Sequence, residues 1–206
     1  MATWAVVPVK HFQVGKSRLA TVLSSQARER LSRSLLKRTV GLLSRSTVIE
    51  RTLVISRDDS ALQLAREQGA FTVNESAASD LNGALQKATQ VADSFGATGV
   101  LVLPSDLPLL GENDVEDLAG VNGAERIVVL APDRHGTGTN GLFVRPPGLL
   151  RYQFGEGSLA AHQQQARSQG VTVRIHRLPG VEFDVDEPTD LQRLQLMKVV
   201  FGDAEG

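Results

Sequence analysis

The sequence contains no cysteine. That excludes disulfides, thiolate zinc sites and cysteine nucleophiles together. Aromatic residues make up only 4% of the chain, too few for a platform that stacks single-stranded nucleic acid. No charge of one sign dominates. The 22 Lys and Arg meet 23 Asp and Glu, a formal net charge of -1, so no global field draws in nucleic acid or acidic membranes. The apolar runs are about a strand long, far below the roughly 20 residues of a membrane span. A basic-then-apolar secretory start is missing as well, because Lys10 follows the first apolar run. The expectation is a soluble, cytoplasmic protein with no nucleic-acid or membrane partner; a homodimer is left open. For 206 residues, one domain over 1–206 with a sizeable core is the default.

What is present is alternation. Strand-like runs fall at about Trp4 to Pro8, Leu53 to Ile55, Phe71 to Val73, Val100 to Leu103, Ile127 to Leu130, Leu142 to Val144 and Val171 to Leu178. Helical spacing of leucines predicts a helix from about Ser25 to Ser46. Further helices are predicted from an Asp58 cap to Gln68, from Ser79 or Asp80 to about Phe95, from Asn113 to Ala119, from a Ser158 cap to about Gln169, and from Pro188 to about Val199. The segment Asp133 to Asn140 reads as a loop. His162 and His176, in polar surroundings, read as exposed. Strand and helix alternating at this spacing predict an α/β three-layer sandwich, Rossmann-like, with a mostly parallel sheet. In such folds ligands bind beyond the carboxyl ends of the strands. The loops after Pro8, Leu103 and Leu130 should therefore share a face.

Six stretches in those regions carry chemistry. The loop after the first strand holds Lys10, Lys16 and Arg18, three cations suited to a polyphosphate. Its Gly15-Lys16-Ser17 triplet suggests a P-loop, but the spacing G-x-x-x-x-G-K-S/T wants glycine where Lys10 stands. A damaged P-loop and a different nucleotide loop both stay open on this evidence alone. Asp106, between Pro104 and Pro108 just past the most apolar strand, can hold a divalent cation against phosphates, or merely cap a turn. Asp184 and Asp186 fall on one side of an extended segment and repel unless a cation lies between them. Magnesium is the natural ion; Glu187 more simply serves the helix that follows. The small residues of His135 to Asn140 and of Phe154 to Ser158 can approach an anion, or be plain turns. Asn82, at a helix start with Gly83, can bond a nucleobase edge, or only cap. No nucleophile with a neighbouring base can be assembled. A cationic loop, metal carboxylates and a second anion pocket together suggest nucleotidyl transfer to an acceptor that is already an anion, which needs no general base.

These stretches also resemble a family. Val7-Pro8-Val9-Lys10, with Gly15 to Leu19 behind it, resembles the opening of the 2-phospho-L-lactate guanylyltransferases, which include the bacterial phosphoenolpyruvate guanylyltransferases of coenzyme F-420 biosynthesis. Asp80-Leu81-Asn82, Ser105-Asp106-Leu107-Pro108, Gly136 to Asn140, Phe154 to Ser158 and Phe183 to Asp186 follow in the family's order. The resemblance implies the nucleotidyltransferase fold of glycosyltransferase-A type. It implies that GTP and a three-carbon phosphoacid (phosphoenolpyruvate or 2-phospho-L-lactate) give a guanylylated acid and pyrophosphate. By that likeness Lys10, Lys16 and Arg18 contact the GTP phosphates with Ser17, and Asn82 and Gly83 lie near the guanosine. Asp106, Asp184 and Asp186 hold Mg2+. Thr139 or the neighbouring Asn140, with Gly155 and Ser158, binds the acceptor. A sugar-phosphate or molybdopterin nucleotidyltransferase on the same fold, and a P-loop-like kinase, are the alternatives.

Overall fold

A computed structural model describes residues 2–75, 80–121 and 123–197. Seven strands form one sheet in the order β3-β2-β1-β4-β6-β5-β7. They are β1 (Thr3–Val9), β2 (Arg51–Ser56), β3 (Phe71–Asn74), β4 (Gly99–Val102), β5 (Ile127–Pro132), β6 (Thr139–Arg145) and β7 (Thr172–Ile175). Only β6 runs against its neighbours β4 and β5; every other pairing is parallel. The helices are α1 (Ser25–Arg45), α2 (Asp59–Glu67), α3 (Leu81–Ser94), α4 (Glu112–Ala119), α5 (Ser158–Ser168), α6 (Pro179–Glu182) and α7 (Pro188–Leu196).

The strands are apolar on both faces because helices cover both. Along β1 the alternation is visible residue by residue. Ala5 and Val7 join the core under α1, α2 and α4, while Trp4 and Val6 join the core under α3 and α5. Val100, Leu101 and Val102 of β4 are buried in the middle of the sheet, each contributing about 1.5–3 kcal/mol. The three-layer expectation therefore holds.

Polar caps fix the helix starts. Ser24 accepts from the Ala27 N–H, Asp58 from Ser60 and Ala61, and Asp80 from Gly83. Ser158 does not cap α5. Gly157, left-handed at φ 69°, turns the chain into the helix, and Ser158 is its first, buried residue. The loop from Asp133 ends two residues sooner than expected, since Thr139 already pairs with Pro132. Ser79 and Val199 lie outside the described residues. Among the described residues no helix is long and apolar enough to cross a membrane.

The chain order creates the site. From β1 it steps outward through β2 and β3, then returns to place β4 on the other side of β1. At that reversal the loops after β1 and β4 part and leave a crevice at the strands' carboxyl ends. Because β6 is antiparallel, its first residues, Thr139 and Asn140, lie on that same rim.

Candidate active site

A cavity of about 460 Å³ opens at this crevice. Lys10, Lys16, Asp106 and Asp186 are on its wall, and Asp80, Leu81 and Ala84 present the start of α3. The loop after β1 is held from below. Buried Asp58 accepts the Phe12 N–H at 2.8 Å, while its other oxygen accepts from Ser60. Burial alone would raise the Asp58 pKa, but the hydrogen bonds from Ser60 and Phe12 outweigh it and hold the carboxyl below its ordinary range. Arg28 of α1 donates to the Gly15 carbonyl at 3.1 Å.

Lys16 follows Gly15 in the left-handed region, at φ 55° and ψ 36°. A non-glycine residue there costs on the order of 1 kcal/mol. The side chain, 8% exposed, runs between two carboxylates. Its Nζ donates to Asp106 Oδ2 at 2.5 Å and to Asp186 Oδ1 at 3.1 Å. Burial would lower the Lys16 pKa; the charges of Asp106 and Asp186 prevail and raise it. Arg18 is largely exposed and reaches Glu187 at 3.9 Å. Lys10 and Ser17 are exposed.

The two carboxylate loops are joined through backbone. The Val185 N–H donates to the Asp106 carbonyl at 3.2 Å, which sets Asp184 and Asp186 on either side of the junction. Burial pushes the Asp184 pKa up, and the charges of Asp106 and Asp186 push it further. Three hard-oxygen donors with surplus negative charge suit a magnesium ion. As they lie, no three acidic or imidazole side chains among the described residues enclose an ion. The Lys16 ammonium takes the place between Asp106 and Asp186.

One device was not read from the sequence. Asp190, fully buried, accepts the N–H groups of Asp186 and Glu187 at 2.9 and 2.8 Å and forms a two-pronged pair with Arg134. Arg134 in turn donates its backbone N–H to the Glu182 carbonyl. The pair therefore ties the loop before Thr139 to the carboxylate segment. An acidic residue three places after Glu187 was the available signal, since Glu187 caps α7 and Asp190 closes the box.

The remaining candidates gather at a second place, outside the cavity wall. Thr139 and Asn140 begin β6, and Asn140 is the extra residue of a bulge opposite Ala131 and Pro132. Its amide donates to the Val181 carbonyl at 3.0 Å. Gly155, at φ 134°, and Ser158 lie before and at the start of α5. The two glycine loops meet where the Leu159 N–H donates to the Thr137 carbonyl at 3.1 Å. Asn82 clamps the second loop: its amide donates to the Phe154 carbonyl at 3.2 Å and accepts the Phe154 N–H at 2.8 Å. Gly83 donates its N–H to Asp80. His162, read from sequence as exposed, is fully buried under this loop. Its polar neighbours misled the reading, because Ser158, His162 and Ala166 share the helix face that turns inward.

The model of the guanylyl transferase CofC-like family matches residues 3–199. The chain belongs to that family. A phosphoenolpyruvate guanylyltransferase from Rubrobacter xylanophilus is 42% identical over 95% of this chain and 94% of that one. A 2-phospho-L-lactate guanylyltransferase from Methanothermobacter thermautotrophicus is 36% identical over 95% and 85%. A solved Desulfovibrio desulfuricans structure named for nucleotide-diphospho-sugar transfer superposes with a TM-score of 0.76 at 16% identity, over 100% of this chain and 90% of that one. The last likeness shows the fold alone, which is the nucleotidyltransferase fold expected. The family makes the chain an enzyme of the nucleotidyltransferase class.

Proposed function

We propose that the protein transfers GMP from GTP to the phosphate of phosphoenolpyruvate or 2-phospho-L-lactate and releases pyrophosphate, a step of coenzyme F-420 assembly. The observation that carries this reading is Lys16 gripped between Asp106 and Asp186 on the wall of the switch-point cavity. Cation and carboxylates at one crevice suit a triphosphate with its counter-ion. The names of the two relatives supply the guanylyl group and the choice of acid.

In this reading a phosphate oxygen of the acceptor attacks the α-phosphorus of GTP. The new bond joins that oxygen to phosphorus, and the bond from the α-phosphorus to the bridging oxygen of pyrophosphate breaks. The attacking oxygen is already ionised, so no side chain has to take a proton. The chain's task is to hold two anions together and offset their repulsion. Lys10, Lys16 and Arg18 neutralise the triphosphate, with Ser17 beside them. The start of α3, with Asn82 and Gly83, borders the nucleoside. Thr139, Asn140, Gly155 and Ser158 receive the acid. Asp106, Asp184 and Asp186 would hold magnesium, which when bound offsets phosphate charge and orients the oxygens.

The test is direct. Purified protein with GTP, magnesium and each acid in turn should release pyrophosphate with at least one of them. No release with any three-carbon phosphoacid would refute the reading. Transfer of the γ-phosphate instead would mean a kinase.

A further inference from the structure

His162 and Thr139 form a buried pair whose hydrogens can be assigned. His162 Nε2 lies 3.0 Å from the backbone nitrogen of Gln153. A backbone N–H only donates, so Nε2 carries the lone pair. Burial lowers the pKa of this ring to about 4, and at neutral pH it holds one hydrogen. That hydrogen is on Nδ1. Nδ1 lies 3.3 Å from Thr139 Oγ1, which must therefore accept it. The threonine's own O–H is left to donate elsewhere. Among the described residues Oγ1 has no other partner, though Thr139 is only 7% exposed. A buried donor without an acceptor is costly, and an anionic oxygen brought by a substrate relieves it.

We infer that His162 is a positioning residue that makes the Thr139 hydroxyl an obligate donor to an anionic oxygen of the acceptor. The inference rests on the proposed function, in which Thr139 faces the acid. The ring is held for this task. Phe154 meets its edge with centroids 5.1 Å apart, and Asn82 clamps the Phe154 backbone next to Gln153. A cation at this position would reverse the logic, because both ring nitrogens would donate and the Gln153 contact would be lost.

Three substitutions separate the two ends of the ring. His162→Gln keeps an acceptor near the Nε2 position and loses the Nδ1 donor. His162→Asn keeps a donor near Nδ1 and loses the far acceptor. Thr139→Val removes the hydroxyl. Pyrophosphate release is followed while GTP and the acid are varied separately. His162→Gln should raise KM for the acid about tenfold, the worth of one misdirected bond to a charged oxygen, with KM for GTP moving less than twofold. His162→Asn should recover most of that loss. Added to Thr139→Val, His162→Gln should change KM for the acid no further. Equal rises in both KM values, an unaltered KM for the acid, or full additivity with Thr139→Val would overturn the inference. Nitrogen-15 NMR of the histidines in the wild-type protein reads the tautomer itself, even if His162→Gln does not fold. A proton on Nε2 at neutral pH would also overturn it. Wild-type protein that releases no pyrophosphate with any of the acids would instead remove the proposed function, and this inference with it.

Discussion

Replacing Lys16 by methionine should make the protein less stable and a better binder of divalent cations. Methionine keeps the length and apolar stem of lysine and bears the same left-handed backbone cost, so the difference reports the charge. The ammonium lies 2.5 and 3.1 Å from two carboxylates that repel each other and Asp184. A unit pair at about 4 Å is worth about 4 kcal/mol at an effective dielectric near 20. The Asp106 and Asp186 side chains are 26% and 42% exposed, so solvent screening reduces this to about 1–2 kcal/mol. For a chain of this length, that is a loss of about 3–6 °C in Tm. The same charge opposes any ion that seeks the carboxylates, and about 1.4 kcal/mol is a factor of ten in affinity. Without nucleotide, Lys16→Met should therefore bind Mn2+ or Mg2+ about tenfold more tightly than wild type by titration calorimetry. Thermal melts with added magnesium should recover more Tm in the variant than in wild type. Metal affinity unchanged or weakened by Lys16→Met would refute the idea that lysine and metal compete for these oxygens.

Asp106→Asn should reduce turnover by orders of magnitude while circular dichroism shows the fold intact; an active Asp106→Asn enzyme would remove the metal assignment. Asp190→Asn leaves the Arg134 charge without its buried partner and should cost about 3 kcal/mol in urea unfolding, against under 1 kcal/mol for half-buried Glu29→Gln. Asn82→Ala frees the Phe154 backbone and alters the start of α3 beside the nucleoside, so it should raise KM for the acid and KM for GTP together in the pyrophosphate-release assay. Acid should destabilise the wild type in a window set by His162. The unfolded ring protonates near pH 6.5 and the folded one near 4, so the unfolded state binds more protons between these values. Stability is full above about pH 7 and falls as pH drops, by up to about 1.4 kcal/mol per unit, with no further loss from this group below about 4. Urea unfolding of wild type and His162→Gln at pH 7.5, 6 and 5 should show the smaller slope in the variant. Asp190, whose carboxyl is held low, acts in a separate window. Its contribution is present above about pH 4 and is lost as pH falls through its depressed pKa.

The layers of the fold were legible because they depend on local pattern. Val100 to Leu103 could only be central, and Asp58 and Asp80 announce their helices by type and place. Strand direction is different. Nothing within Leu142-Phe143-Val144 says that β6 runs antiparallel; that follows from its pairing with β4 and β5. At the site, Lys16 and Asp106 could be suspected from charges placed next to strand ends and Asp186 from its pairing with Asp184, and the structure brings Lys16 within hydrogen-bond reach of Asp106 and Asp186. Arg134 and Asp190 escaped notice because their meaning lies in each other, 56 residues apart. His162 escaped for a related reason. Its inward face carries a serine, a histidine and an alanine, so no apolar stripe marks it.

The reversed strand has a corollary for the choice of acid. In the proposed function the triphosphate-side residues Lys10, Lys16 and Arg18 follow β1, in the parallel half of the sheet. Thr139 and Asn140 instead begin β6, anchored between β4 and β5, and the segment 133–138 before them is tied by hydrogen bonds to its neighbours among the described residues at two points only, Arg134 and Thr137. On that proposal, substitutions confined to a few positions before β6 should alter the choice of acid and leave the use of GTP unchanged.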